Sequence, residues 1–165
     1  ATLAIADYEG PVYLRFGRPS VPIFMPEDMP FEIGKGIMLS EGTDVTIVAT
    51  GHLVWKALEA AKELEGKGIS AEVINIHTIK PLDEEIILNS VMKTKCIVTA
   101  EEHQIAGGLG ESVSSLLCRT IPTPQEFVAV DDTFGESGTP AELMTKYGLD
   151  TVDIVTACEA VMTRK

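Results

Sequence analysis

Cysteine is scarce: Cys96, Cys118 and Cys158 are odd in number, far apart and without a CxxC pair. That excludes a disulfide framework and a zinc site of ordinary spacing, and leaves small buried thiols as the expectation. Long apolar runs are missing too. None approaches the roughly 20 residues that cross a bilayer, and the opening ATLAIADYEG has no basic stretch ahead of an apolar one, as a secretory signal would. A cytoplasmic setting without a membrane partner is the expectation. Basic residues are outnumbered, 13 Lys and Arg against 25 Asp and Glu for a net charge of −12, so the chain repels phosphate backbones and no nucleic-acid partner is expected. Phosphate-binding signatures are absent. GxxxxGK[ST] does not occur, and GGLG at 107–110 is not GxGxxG and does not directly follow a strand-like run. His52, His77 and His103 lack the i, i+4 spacing of a helical metal pair, so no metal site is expected. Ser137 in GESG lacks the spacing of a GxSxG elbow and sits where serine and threonine cap helices. An initiating methionine is also lacking; a chain opening on Ala1 is expected to be a fragment or a processed product.

What is present is an alternation of two periodicities. VTIVA (45–49), AEVIN (71–75), CIVTA (96–100) and FVAV (127–130) are short apolar or β-branched blocks, the pattern of strands buried on both faces. Between them Leu53, Ala57, Ala61 and Leu64 recur at helical spacing and stop near Gly66 and Gly68. PLDEEIILNSVM (81–92) predicts a helix that opens with acids, where the helix dipole favours them. Residues 108–118 predict a third helix, and Thr139, Pro140 and Glu142 fit N-cap, N1 and N3 of a fourth. A last helix is expected over 151–163. Strand and helix in repetition imply an α/β fold, a three-layer, mainly parallel sheet with helices on both faces. GKGIML (34–39) adds an edge strand of undetermined direction. With 45% apolar residues in 165, the chain suffices for one real core. The expected division is residues 34–165 as the folded domain, 17–33 as a proline-rich linker and 1–16 as the remnant of another domain.

Ligands of parallel α/β sheets sit at the carboxyl ends of the strands. The residues there include His52, His77 and the run Glu101, Glu102, His103. His103 beside its two glutamates fits an acid/base pair, because a carboxylate raises imidazole basicity; the favoured reading is a loop histidine bonding a helix end or an interface. Gly107 and Gly108 allow a close turn at a helix start, and the free amides of such a turn are also able to hold an anion. In PVYLRF, Val12, Leu14 and Phe16 share one face and Tyr13 and Arg15 the other, which reads as a strand ending at Gly17. Arg18 then projects beyond a strand end, where a guanidinium grips phosphate or carboxylate with two bonds. The competing reading is a linker arginine paired with Glu27 or Asp28.

GPVYLRFGRPSVP, FEIGKGIML, VTIVATGHLVWKALEAAKEL, the run from HTIKPLD through EEHQIAGGLGE, and FGESGTPAEL occur in that order over nearly the whole chain. Together they resemble the carboxyl-terminal part of transketolases. TIKPLD is shared with the wider thiamine-diphosphate group, including beta subunits of 2-oxo acid dehydrogenases and deoxyxylulose-phosphate synthase. The EEH and GGLGE segments and FGESGTPAEL point to transketolase within it. The dehydrogenase subunits carry a glycine and an aromatic residue where His103 and Gln104 stand, and the synthase carries RYPRG in place of LRFGRPS. The resemblance implies ketol transfer between sugar phosphates in a complete enzyme that binds thiamine diphosphate and magnesium. This chain would then be an assembly piece of the pentose phosphate pathway enzyme, inactive and free of cofactor by itself. Its implied partners are the remaining transketolase domains or a separate diphosphate-binding subunit, in a homo-oligomer. Residues 1–16 would be the tail of the pyrimidine-binding domain. By the same resemblance Arg18 contacts the substrate phosphate; no other residue maps onto a catalytic position. A free-standing α/β module that binds an anion or a partner is the non-enzymatic alternative.

Overall fold

The computed structural model describes residues 1–17 and 19–165. Among these residues five strands form one sheet: β1 (Ile37–Ser40), β2 (Val45–Ala49), β3 (Ala71–Asn75), β4 (Ile97–Gln104) and β5 (Gln125–Val130), in the order β1-β3-β2-β4-β5. β3, β2, β4 and β5 run parallel to one another, and β1 lies antiparallel on β3. The direction left open for GKGIML is thereby settled. Every residue of β2 and β3 is buried, as expected of strands covered on both faces.

Among the described residues six helices flank or precede the sheet: α1 (Thr2–Ala6), α2 (Leu53–Gly66), α3 (Glu84–Thr94), α4 (Leu109–Arg119), α5 (Pro140–Lys146) and α6 (Thr151–Met162). Because side chains alternate along a strand, Val45, Ile47 and Ala49 enter the core beneath α2 and α6. Val48 faces α3 and α4 with Ile74 and Ile97. On that second face Thr46 is buried, and its hydroxyl lies 2.5 Å from that of Ser90 and 2.6 Å from that of Thr94, both on α3. Buried Glu72 on β3 pairs with Lys93 of α3 and accepts from the Gly42 amide at 3.3 Å. A buried carboxylate is tolerated only with such partners.

Several boundaries move for identifiable reasons. The third predicted helix opens at Leu109 as α4, but the second opens at Glu84 rather than at 81: Asp83 is its N-cap, accepting from the Ile86 amide at 3.4 Å and from the Gly36 amide at 2.9 Å. α5 has the predicted capping box, with Thr139 and Glu142 bonded reciprocally and Pro140 in the first turn. β4 runs on to Gln104 past an irregularity after Ala100, so Glu101, Glu102 and His103 belong to a strand end rather than a loop. Residues 11–17 form no strand; the described segment has no ladder partner, and the preceding residues make the short helix α1. A strand exists only by pairing. Of the three thiols Cys96 and Cys158 are buried, while Cys118 is exposed. Burial raises the Cys158 thiol pKa, Cys96 and Glu159 adding to the effect, which leaves it an inert packing group. No helix among the described residues is long and apolar enough to cross a membrane.

Candidate functional site at the carboxyl edge of the sheet

Chain connections leave the first parallel strand, β2, between β3 and β4. The crevice between β2 and β4 at their carboxyl ends is therefore the topological switch point, where sheets of this type bind ligands. It is lined by Gly51 and His52 after β2 and by Glu101, Glu102 and His103 at the end of β4. The sequence-predicted residues Glu102 and His103 do meet here.

The glutamates have different tasks. Glu101 is 1% exposed. Its carboxylate accepts from the amides of Leu109 and Gly110, both at 2.8 Å. These are first-turn amides of α4 without partners inside the helix, at the end where the dipole favours negative charge. Burial alone pushes the carboxyl upward in pKa, yet the bonds from His103, Gly110 and Leu109 together hold it below its ordinary value. A Cβ on Gly108 would lie 2.4 Å from Glu101 Oε2, so glycine is required for this close approach. The neighbouring Gly107, at φ +78°, donates its amide to Glu111 at 2.7 Å. The Gly107–Gly108 turn thus brings amides onto carboxylates of the chain itself.

His103 Nδ1 lies 3.3 Å from Glu101 Oε2. If that nitrogen carries the proton, Nε2 keeps its lone pair, and the Arg15 guanidinium donates to it through Nη1. The same Nη1 reaches Glu102 Oε1 at 3.0 Å, and His52 Nδ1 stands 3.5 Å from Glu102 Oε2. Both ring nitrogens of His103 therefore have partners within the protein. His52 was visible from the sequence only as a residue beyond a strand end, and Arg15 was not a site candidate. Arg15 is 87 positions from Glu102, and no local spacing signals such a pair. Arg18 lies outside the described residues.

Residues of the 17–31 stretch lie along this edge. Gly17 packs so closely on His52 that a Cβ there would stand 2.1 Å from Nε2. Phe24 packs against the core under α2 and α6. Met25 approaches the Asn75 amide at the end of β3, and Phe31 lies on the His77 ring just beyond it, centroids 4.4 Å apart. An open groove of about 550 Å³ exists elsewhere, between Leu39–Glu41, α2 and the start of β3; it is at the other end of the parallel strands and holds none of these groups.

The transketolase carboxyl-terminal domain model matches residues 34–154. A 6-deoxy-6-sulfo-D-fructose transketolase subunit of Clostridium sp. (strain MSTE9) is 48% identical over 98% of this chain and 50% of its own length. A putative transketolase C-terminal section of Methanocaldococcus jannaschii is 44% identical over 88% of this chain and 46% of its own. 1-Deoxy-D-xylulose-5-phosphate synthase 1 of Geobacter sulfurreducens is 40% identical over 96% of this chain but 26% of its own. Among solved structures, a split gene transketolase described as an inactive beta4 tetramer matches with TM-score 0.94 and 48% identity, covering 98% of this chain and 55% of that one. The fold and the matched residues define a carboxyl-terminal domain of the thiamine-diphosphate-dependent transketolase class. The chain belongs to the transketolase family, as its carboxyl-terminal portion, and spans about half the length of the transketolase relatives it matches.

The carboxyl edge does not fit thiamine diphosphate. The α4 amides that would receive a diphosphate are bonded to Glu101, and no cluster of His, Cys, Asp or Glu suited to a metal ion occurs among the described residues.

Proposed function

We propose that this chain is the carboxyl-terminal part of a split transketolase that transfers a two-carbon ketol unit between sugar phosphates. It works with a separate subunit that binds thiamine diphosphate and magnesium. The observation that carries the reading is the 48% identity and TM-score of 0.94 to a split gene transketolase over 98% of this chain. Residues 1–16 are the end of a pyrimidine-binding domain and residues 17–33 the connector to the carboxyl-terminal domain. Arg18 contacts the substrate phosphate, a role that rests on the family resemblance of its LRFGRPS setting. The chain functions in the cytoplasm as a homo-oligomer and is inactive without its partner. Relatives are named for sulfofructose and apulose 4-phosphate, so the sugar pair is the property to measure across several ketose and aldose phosphates.

The test is reconstitution. The chain, extended by the residues encoded before Ala1, is mixed with the diphosphate-binding subunit and assayed for ketol transfer, while calorimetry follows cofactor binding to the chain alone. Activity only in the mixture, with no micromolar cofactor binding by the chain, supports the reading. Arg18→Ala is expected to weaken phosphorylated sugars far more than unphosphorylated ones. Micromolar binding of thiamine diphosphate by the isolated chain, or an inactive mixture, sinks the proposal.

A further inference from the structure

At the switch-point crevice, where a sheet of this topology would receive a ligand, the lining residues His52, Glu102 and His103 are met by residues 15–17 of the chain itself. Four contacts make the path. Arg15 reaches Glu102 and His103 at the end of β4, and Gly17 presses on His52 after β2. Met25 meets Asn75 at the end of β3, and Phe31 lies on His77. Two of these differ in kind and point to the same seat. Arg15 is held by charge and hydrogen bonds, whereas Gly17 is held by contact so close that no side chain fits.

The Arg15 end is braced from behind. His103 Nδ1 faces Glu101, and Glu101 is fixed by the α4 amides at 2.8 Å. Glu101 thereby sets the tautomer that leaves His103 Nε2 free to accept from Arg15. Glu102, with a side chain 16% exposed, supplies the countercharge. A charge-assisted bond to a mostly buried carboxylate is stronger and more directional than an exposed pair, and the planar guanidinium holds the two Nη1 hydrogens in fixed directions, whereas the hydrogens of a lysine ammonium rotate.

We propose that Arg15 is a positioning residue: hooked on Glu102 and His103, with Gly17 seated on His52, it fixes the segment that carries the substrate-phosphate arginine, Arg18, to the carboxyl edge of this domain. The inference rests on the reading of Arg18 given above. Arg18 follows Gly17 directly in the sequence, so the seat at 15–17 adjoins it. The edge then serves substrate binding without touching substrate.

The hook is tested from both ends in the reconstituted enzyme, with Arg15→Ala, Arg15→Lys, Glu102→Gln and the Arg15→Ala/Glu102→Gln double variant. Limited chymotrypsin cleavage after Tyr13 and Phe16 reports seating, and steady-state kinetics use a ketose phosphate and its unphosphorylated counterpart. Arg15→Ala and Glu102→Gln are each expected to speed this cleavage about fivefold or more and to raise KM for the phosphorylated sugar about tenfold, a loss equal to about 1.4 kcal/mol. The kcat and the unphosphorylated sugar should be unaffected, Arg15→Lys should recover part of the loss, and the double variant should be no worse than either single one. Unchanged cleavage overturns the hook, whatever Arg18 does. Faster cleavage with unchanged KM overturns the positioning role. If Arg18→Ala fails to discriminate the two sugars, the Arg18 reading falls, and the cleavage data still decide whether the hook exists.

Discussion

Residues 34–165 and residues 1–33 obey different physics. The first region has two cores, one on each sheet face, in which side chains such as Ile47, Leu53, Ile74 and Leu116 have no exposed surface. Among the described residues of the second, none is buried, and Leu3, Tyr13, Phe16 and Ile23 are all more than four-fifths exposed. An apolar composition is therefore not what separates them. The domain's apolar residues recur with the period of the element that carries them, so each element offers a whole face for burial. Those of the amino-terminal region are spaced by prolines at 11, 19, 22, 26 and 30. Proline gives up a backbone donor and holds the chain extended, so the region gains order only where single side chains drop into the domain's edge. The difference teaches that the region is organised by its seat and not by a core of its own.

The largest effects should come from breaking the domain side of this contrast. Ile47→Ala removes a fully buried side chain from β2 and is expected to cost about 2–5 kcal/mol in urea unfolding. A loss below about 0.5 kcal/mol, the scale of surface substitutions, would mean that the sheet is not the rigid body against which the linker is ordered. A smaller effect follows at Glu101. Glu101→Gln replaces a charged acceptor of the α4 amides by an amide with one oxygen, and should cost about 1.5–3 kcal/mol at neutral pH. The pH dependence has a definite sign. The folded-state pKa is lowered, so this stabilisation is complete above the carboxyl's unfolded pKa and is lost as pH falls through that value toward the folded one. Acid titration of unfolding midpoints should show a steeper loss in the parent chain than in Glu101→Gln. Parallel curves would remove Glu101 as the anion that holds α4.

The sheet was legible in the sequence because burial on both faces leaves a local mark. VTIVA and AEVIN are strands at the predicted residues, and the Thr139–Glu142 box is a spacing of three. What was not legible involves partners distant along the chain. PVYLRF alternates as a strand does, but alternation supplies no neighbour, and the described segment pairs with none. Glu101, Glu102 and His103 were visible as polar residues near a strand end, yet their division of labour was not. Glu101 turns to the amides eight and nine positions on, and Glu102 to a guanidinium 87 positions back. Gly107 and Gly108 look the same whether their turn cradles a ligand or a carboxylate of the chain; only the fold shows Glu101 pressed against Gly108.

The finest test of the contrast lies within two adjacent residues of the amino-terminal region. Ile23 is 94% exposed, while Phe24 packs against the core beneath α2 and α6. If the linker is ordered by single side chains, their alanine variants should differ despite similar hydrophobicity. Phe24→Ala, losing part of an aromatic burial, is expected to lower stability by about 1–2 kcal/mol, and Ile23→Ala by less than about 0.5 kcal/mol. Both are read from unfolding midpoints at constant denaturant slope, which excludes a change in the unfolded ensemble. Equal losses would show Ile23 to be covered as well, and the linker would then be a packed layer of the domain. Equal and negligible losses would show that Phe24 provides no anchor, leaving Arg15 and Gly17 as the seat and making the hook at Glu102 correspondingly more important.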